Sequence, residues 1–207
     1  MKNKLVKLKQ EDLEKRCRER TLILCKPESI LTGEYPEILR RIQRLHFKTP
    51  LLKMFKFSKK SVIEFYKEVV NNWEPKEDMI EIFTKMIEYP TLAGVVEGPN
   101  SIVTMRKLAG GIPKYKSNDG EIIFEKYSAQ FQPVLAPMGT IRGDYSSSDI
   151  DIPDTTLIPI PNFMHASDSK ESYNREIDIL IKYNHISKGD FIDYKRPDWG
   201  ILFGINT

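Results

Sequence analysis

The feature that most constrains this chain is an alternation of short, strand-like apolar runs with segments of helical spacing. Thr21 to Cys25 is a continuous apolar run, and Thr49 to Phe57, Thr91 to Val96 and Asn162 to His165 supply three further strand-like stretches. Gly33 to His46 reads as a helix, with Pro36 in its first turn and Ile38, Leu39 and Ile42 on one face. Ser58 reads as the N-cap of a helix burying Val62, Phe65, Tyr66 and Val69. Pro75 opens another, with Met79, Phe83, Met86 and Ile87 on one stripe, and Pro99 starts a helix through Ala109. A last helix follows Ser167, Asp168 and Ser169, with apolar positions at Tyr173, Ile177, Leu180 and Ile181. The order β-α-β-α-α-β-α-β-α predicts an α+β fold, a ferredoxin-like four-stranded antiparallel sheet with helices packed on one face.

Composition limits the alternatives. The 207 residues suit one domain with additions, and 40% hydrophobic with 29% charged residues is ordinary for a globular protein. No apolar run approaches membrane-spanning length, and Met1 to Arg20 is too charged for a signal-peptide hydrophobic segment. Cys17 and Cys25 sit on a charged arm and an apolar strand, so a free-thiol, cytoplasmic protein is expected. The net charge of +3 hides a basic N-terminal third, with 17 Lys/Arg against 7 Asp/Glu in residues 1–60. Arg40, Arg41 and Arg44 spread that charge over a helix face, where solvation is the default, so nucleic-acid binding is not expected.

Chemistry concentrates in Asn162-Phe-Met-His165-Ala-Ser167-Asp168-Ser169, which carries one of only three histidines. A histidine at a strand-to-helix junction lies near unpaired backbone N–H groups that attract phosphate. Glu176, on the helix that follows, is placed to orient one ring nitrogen and leave the other nucleophilic. The competing reading is a histidine that satisfies a hydrogen bond at a strand end. Taken alone, Arg106 reads better as a solvated helix arginine and Tyr66 as a core aromatic, while Lys26 is placed to reach into a site but also suits a strand end meeting water.

Asn-x-x-His-x-Ser-Asp-Ser resembles the active-site signature of the nucleoside diphosphate kinases. Four further blocks follow that family's order. Thr21-Leu-Ile-Leu-Cys-Lys26-Pro27-Glu28 resembles its first strand and Lys-Pro-acid motif, and Glu97-Gly98-Pro99-Asn100 with Arg106 its third strand and next helix. Gly139-Thr140-Ile141-Arg142-Gly143-Asp144-Tyr145 is similar to its arginine loop, and Asp193-Tyr194-Lys195 with Trp199 to its tail. Five ordered blocks over about residues 20 to 200 are a specific signal, where one would be weak.

The resemblance implies a ping-pong phosphotransferase in which His165 carries the γ-phosphate from a nucleoside triphosphate to a nucleoside diphosphate. It implies that Glu176 tunes the ring, through Ser167 or water, that Tyr66 orients it, and that Arg106 and Arg142 clamp phosphate. By the same resemblance Lys26 contacts phosphate and ribose, Asn162 contacts the sugar, and Mg²⁺ rides on the nucleotide phosphates without protein ligands. A homo-oligomer built on a dimer is implied as well. Broad nucleotide tolerance is expected, since no matched residue is dedicated to a base edge. The alternative is a nucleotide-binding or scaffold member with residual activity.

Departures from the family are local. Residues 1–20 form a charged arm before a domain of residues 21–207, which carries insertions at about 111–138 and 146–161. Ile112 to Lys116 and Glu121 to Tyr127 flank Asp119-Gly120 and read as a β-hairpin, while Ser146 to Pro161 reads as an extended loop. The family's base-stacking phenylalanine has no counterpart in Trp73 to Met79, and the threonine expected after the first arginine is missing from Leu108 to Ile112.

Overall fold

The computed structural model describes residues 18–72, 75–111, 136–145 and 162–192 in full, and the backbone of 113–115 and 122–124. Its centre is a sheet in the order β2-β3-β1-β6, formed by Lys48–Phe55, Thr91–Glu97, Arg20–Cys25 and Met164–Ala166, with every pairing antiparallel. The helices, in chain order, are α1 (Pro27–Leu31), α2 (Tyr35–Arg44), α3 (Lys59–Phe65), α4 (Lys67–Asn71), α5 (Lys76–Lys85), α6 (Ser101–Ala109), α7 (Ile141–Tyr145) and α8 (Lys170–Lys182). None of the described helices is long and apolar enough to cross a membrane.

Helices cover both faces of the sheet, where one face was expected. The reason lies in the central strands: β1 is buried from Thr21 to Cys25, and β3 from Thr91 to Val96. A strand buried at every position has two apolar faces to cover. Leu22, Leu24, Leu51, Ala93 and Val95 pack against Val62 and Phe65 of α3, Met79 and Phe83 of α5, and Ile177 and Leu180 of α8. The opposite face sets Ile23, Cys25, Leu92, Val96 and Met164 against Ile38 and Ile42 of α2, Met105 and Ala109 of α6, and Ile141 of α7.

Local chemistry sets the boundaries. Ser58 and Ser61 form a reciprocal capping box: each hydroxyl accepts the other residue's backbone N–H. Ser169 caps α8, its hydroxyl accepting the Ser172 N–H at 3.0 Å. The expected helix after Ser58 is split at Tyr66, which sits between α3 and α4 with φ −97° and ψ 16°. Phe163 has φ +33°, so the last strand begins at Met164 and not at Asn162. In the segment expected as a hairpin, β4 (Pro113–Tyr115) pairs antiparallel with β5 (Ile122–Phe124). Its Asp119-Gly120 turn, the arm up to Cys17, Trp73, the Ser146 to Pro161 loop and the Asp193 to Trp199 tail lie outside the described residues.

Candidate active site

The register of the sheet places the site. Leu24 of β1 pairs with His165 of β6, so the His165 side chain shares the face of Leu24, toward α3 and α8. Beyond β1, the Lys26 N–H donates to the Phe163 carbonyl at 2.9 Å. Two residues on, Glu28 is 2% exposed and its Oε1 accepts the Asn162 N–H at 2.8 Å. The Lys-Pro-Glu turn therefore grips the Asn162-Phe163 turn on both sides, just ahead of the histidine.

Two buried arginines hold the other side of β6. Arg142 of α7 donates from Nε to Asn162 Oδ1 and from Nη2 to the Met164 carbonyl at 3.1 Å. Arg106 of α6 donates from Nη1 to the Ala166 carbonyl at 3.1 Å. The guanidinium groups thus bracket His165 through the carbonyls of its two chain neighbours. Burial lowers the pKa of both, and the nearby Arg106 charge helps bring Arg142 down to about 9. Burial also lowers Lys26 to about 8, with its ammonium 5.8 Å over the Tyr66 ring. Positive charge crowded into a desolvated site favours an anionic ligand. Gly143 makes the arrangement possible, since a Cβ there would lie 2.1 Å from the Pro137 carbonyl oxygen.

His165 Nε2 is buried, 3.1 Å from Glu176 Oε2. The carboxylate faces the ring nitrogen at this distance without hydrogen-bond alignment. That same Glu176 oxygen accepts the Ser167 hydroxyl at 2.6 Å, and Ser167 Oγ accepts the Leu22 N–H at 3.2 Å. The carboxylate is therefore fixed by the serine and faces the ring, which leaves Nδ1 as the nitrogen for a ligand. Phe65 and Tyr66 wall the imidazole edge-on, with ring centroids at 5.3 Å and 6.1 Å. Tyr66 makes no direct hydrogen bond to the ring; it stacks on Phe83 at 4.2 Å, and burial next to Glu176 holds its phenol well above the usual tyrosine range. Its hydroxyl is buried without a partner among the described residues, and so can donate to a ligand.

All eight residues singled out in the sequence (Lys26, Tyr66, Arg106, Arg142, Asn162, His165, Ser167 and Glu176) meet around β6. Glu28 and Arg175 were missed. The acid of the Lys-Pro-acid motif was the available signal for Glu28, while Arg175 is one of several charges on an amphipathic helix. In the stretch that lacks the family's base-stacking phenylalanine, Met79 belongs to the core under α5, 2% exposed. At Gly110 a Cβ would come within 2.9 Å of Arg142 Cβ and 3.0 Å of Thr140 Oγ1, so that point of the missing-threonine stretch has no room for a hydroxyl side chain. Among the described residues no cluster of three His, Cys, Asp or Glu is disposed to hold a metal.

Comparison with known proteins places this geometry. The sequence model of the family described as nucleoside diphosphate kinase matches residues 19–186. The nucleoside diphosphate kinase of Staphylothermus marinus is 33% identical over 172 residues, which cover 81% of this chain and 96% of that protein. That of Corynebacterium diphtheriae is 34% identical over 162 residues, covering 78% and 95%. Among solved structures, a transition-state mimic of the Borrelia burgdorferi nucleoside-diphosphate kinase with bound vanadate and ADP superposes with a TM-score of 0.64 at 26% identity, over 89% of this chain and 96% of that one. A Halobacterium salinarum nucleoside diphosphate kinase in complex with CDP shares the fold at 21% identity, with a TM-score of 0.64 over 91% of this chain and 99% of that one.

Proposed function

The chain belongs to the nucleoside diphosphate kinase family, whose members are nucleotide-binding phosphotransferases, and we propose that it carries the γ-phosphate between nucleotides on Nδ1 of His165. In the first half-reaction the Nδ1 lone pair forms the N–P bond while the P–O bond to the β-phosphate breaks. The electron pair leaves with the nucleoside diphosphate. A second diphosphate reverses the step and departs as a triphosphate. Glu176, fixed by Ser167, offsets the positive charge that the ring acquires through Nε2. Lys26, Arg106 and Arg142 supply the charge that holds the phosphates, with the Tyr66 hydroxyl as a further donor, and Asn162 stands where the sugar would lie. Lys26, Arg106 and Arg142 would hold the phosphates of a Mg²⁺-bound nucleotide, and the cation would supply further neutralisation of their oxygens.

The observation that carries this reading is the buried Ser167–Glu176–His165 chain of contacts beside two arginines anchored on the histidine's own strand. A scaffold role is not favoured, because a degenerate site has no need to keep eight such side chains converged. Broad tolerance of the base is part of the same reading. So is a cytoplasmic location, which suits the buried free thiol of Cys25. Assembly as a homo-oligomer is supported by β2, a sheet-edge strand with Leu52 and Met54 each 47% exposed. The test is transfer from ATP to UDP with initial rates over both substrates. Parallel double-reciprocal lines and their loss in His165→Ala are expected. Intersecting lines, or transfer by His165→Ala at the wild-type rate, would overturn the proposal.

A further inference from the structure

Arg175 precedes Glu176 on α8 and faces the same cleft as His165 and Arg106. Its Nη1 donates to the Phe65 carbonyl at 3.1 Å, at the point where α3 breaks off. Its Nη2 lies 3.6 Å from Glu176 Oε1, and its Nε 3.7 Å from Glu68 Oε1 on α4. The two Glu176 oxygens therefore have separate duties: Oε2 serves His165 and Ser167, and Oε1 meets Arg175. The Phe65 carbonyl belongs to a residue whose ring walls the imidazole. One guanidinium thus touches both the carboxylate beside the histidine and the backbone of the wall in front of it.

From the other elements, the pair faces Arg106 on α6, Tyr66 and Glu68 at the α3–α4 junction, and Asp168 before α8. Lys26 and Arg142 stand further back, against Tyr66 and Asn162. In the proposed function the charges of Arg106, Arg142 and Lys26 are met by incoming phosphate. Arg175 stands closest to Glu176 Oε1, at 3.6 Å, while Arg106 attracts the same carboxylate from across the cleft.

We infer that Arg175 is a positioning residue for the His165–Glu176 pair: it holds Glu176 in place, balances its charge, and ties both to the break between α3 and α4. The inference rests on His165 being the phosphorylated residue. Without Arg175 the carboxylate's charge is less compensated, and its pull on positive charge at the ring is stronger.

The experiment is the pH dependence of single-turnover phosphorylation of the full-length protein by ATP and Mg²⁺, in wild type, Arg175→Met, Arg175→Lys and Lys182→Met. Methionine keeps much of the apolar stem and removes the charge. Its acidic limb should move up by about half a pH unit at low salt, and the shift should shrink in high salt. Lysine should restore most of the limb's position. Lys182→Met removes a cation paired with Glu64 elsewhere on α8 and should leave the limb unmoved. A general packing defect would reduce the amplitude without moving the limb. Coincident limbs for wild type and Arg175→Met, or an Arg175→Lys limb displaced as far as that of Arg175→Met, would overturn the inference. Label persisting in His165→Ala is a different outcome, and it sinks the underlying function instead.

Discussion

Ser167→Ala removes one oxygen from a fully buried position, and the structure fixes what that oxygen was doing. It donates to Glu176 Oε2 at 2.6 Å and accepts the Leu22 N–H at 3.2 Å, with Leu22 itself 0% exposed. Loss of a hydrogen bond to a buried carboxylate costs about 1.5–3 kcal/mol. Orphaning a buried backbone N–H costs about 1–3 kcal/mol more. A total of roughly 2.5–6 kcal/mol is a large share of the ~5–15 kcal/mol that holds a typical domain folded. At about 2–4 °C per kcal/mol for a chain this size, Tm should fall by roughly 5–24 °C. Glu176 also loses the contact that aims it at His165, so phosphorylation at 20–25 °C, where the variant is still folded, should slow by about 10–100-fold. Thermal denaturation followed by circular dichroism reads the first effect, and rapid-quench phosphorylation reads the second. A Tm within about 1 °C of wild type together with an unchanged rate would refute the reasoning, because neither buried contact would then matter.

Three further outcomes follow from the same geometry. Glu28→Ala should leave the buried Asn162 N–H without its acceptor and lower both stability, by about 1–3 kcal/mol, and transfer rate, while Glu28→Gln keeps an acceptor oxygen and should recover most of both; urea midpoints and kcat/KM check this. Gly143→Ala forces a methyl to within 2.1 Å of the Pro137 carbonyl oxygen, so α7 must shift and carry Arg142 away from Asn162 and Met164; nucleotide affinity should fall at least tenfold, read by titration calorimetry, in line with a lost charge-assisted pair. Lys26, lowered to about 8 by burial, is largely neutral above that pH, so nucleotide affinity should decline as pH rises through it. Bound phosphate favours the ammonium, and calorimetry near pH 8 in two buffers should register proton uptake in wild type and none in Lys26→Met. Equal uptake in both proteins would remove Lys26 from the phosphate site.

Much of this was legible in the sequence because the decisive signals are local. The unbroken apolar run Thr21–Cys25, the capped start of α8 and the signature around His165 each fit within a dozen residues, and all appear in the fold. What escaped depends on contacts across the chain. Glu28 meets Asn162 over 134 residues of separation, and no local pattern reports that pairing. The break at Tyr66 leaves the apolar spacing of α3 and α4 almost continuous, so periodicity reads one helix where there are two. The positive φ of Phe163 accompanies the grip of Lys26 and Glu28 on its turn, and β6 starts two residues later than the apolar pattern. Helices on both faces follow from strands apolar at every position, a signal that was visible in Thr21–Cys25 and outweighed by the one-faced plan of the topology.

The central claim is a phosphate carried on His165, and the most direct measurement is its capture. Protein incubated briefly with γ-³²P-ATP and Mg²⁺, then separated from nucleotide, should hold label that is stable to alkali and lost in mild acid, the behaviour of a phosphoramidate. The label should leave as UTP when UDP is added. It should be absent in His165→Ala and retained in His46→Ala and His185→Ala, neither of which lines the cleft around His165. Label that survives in His165→Ala, or vanishes instead with either of the other two, contradicts the account.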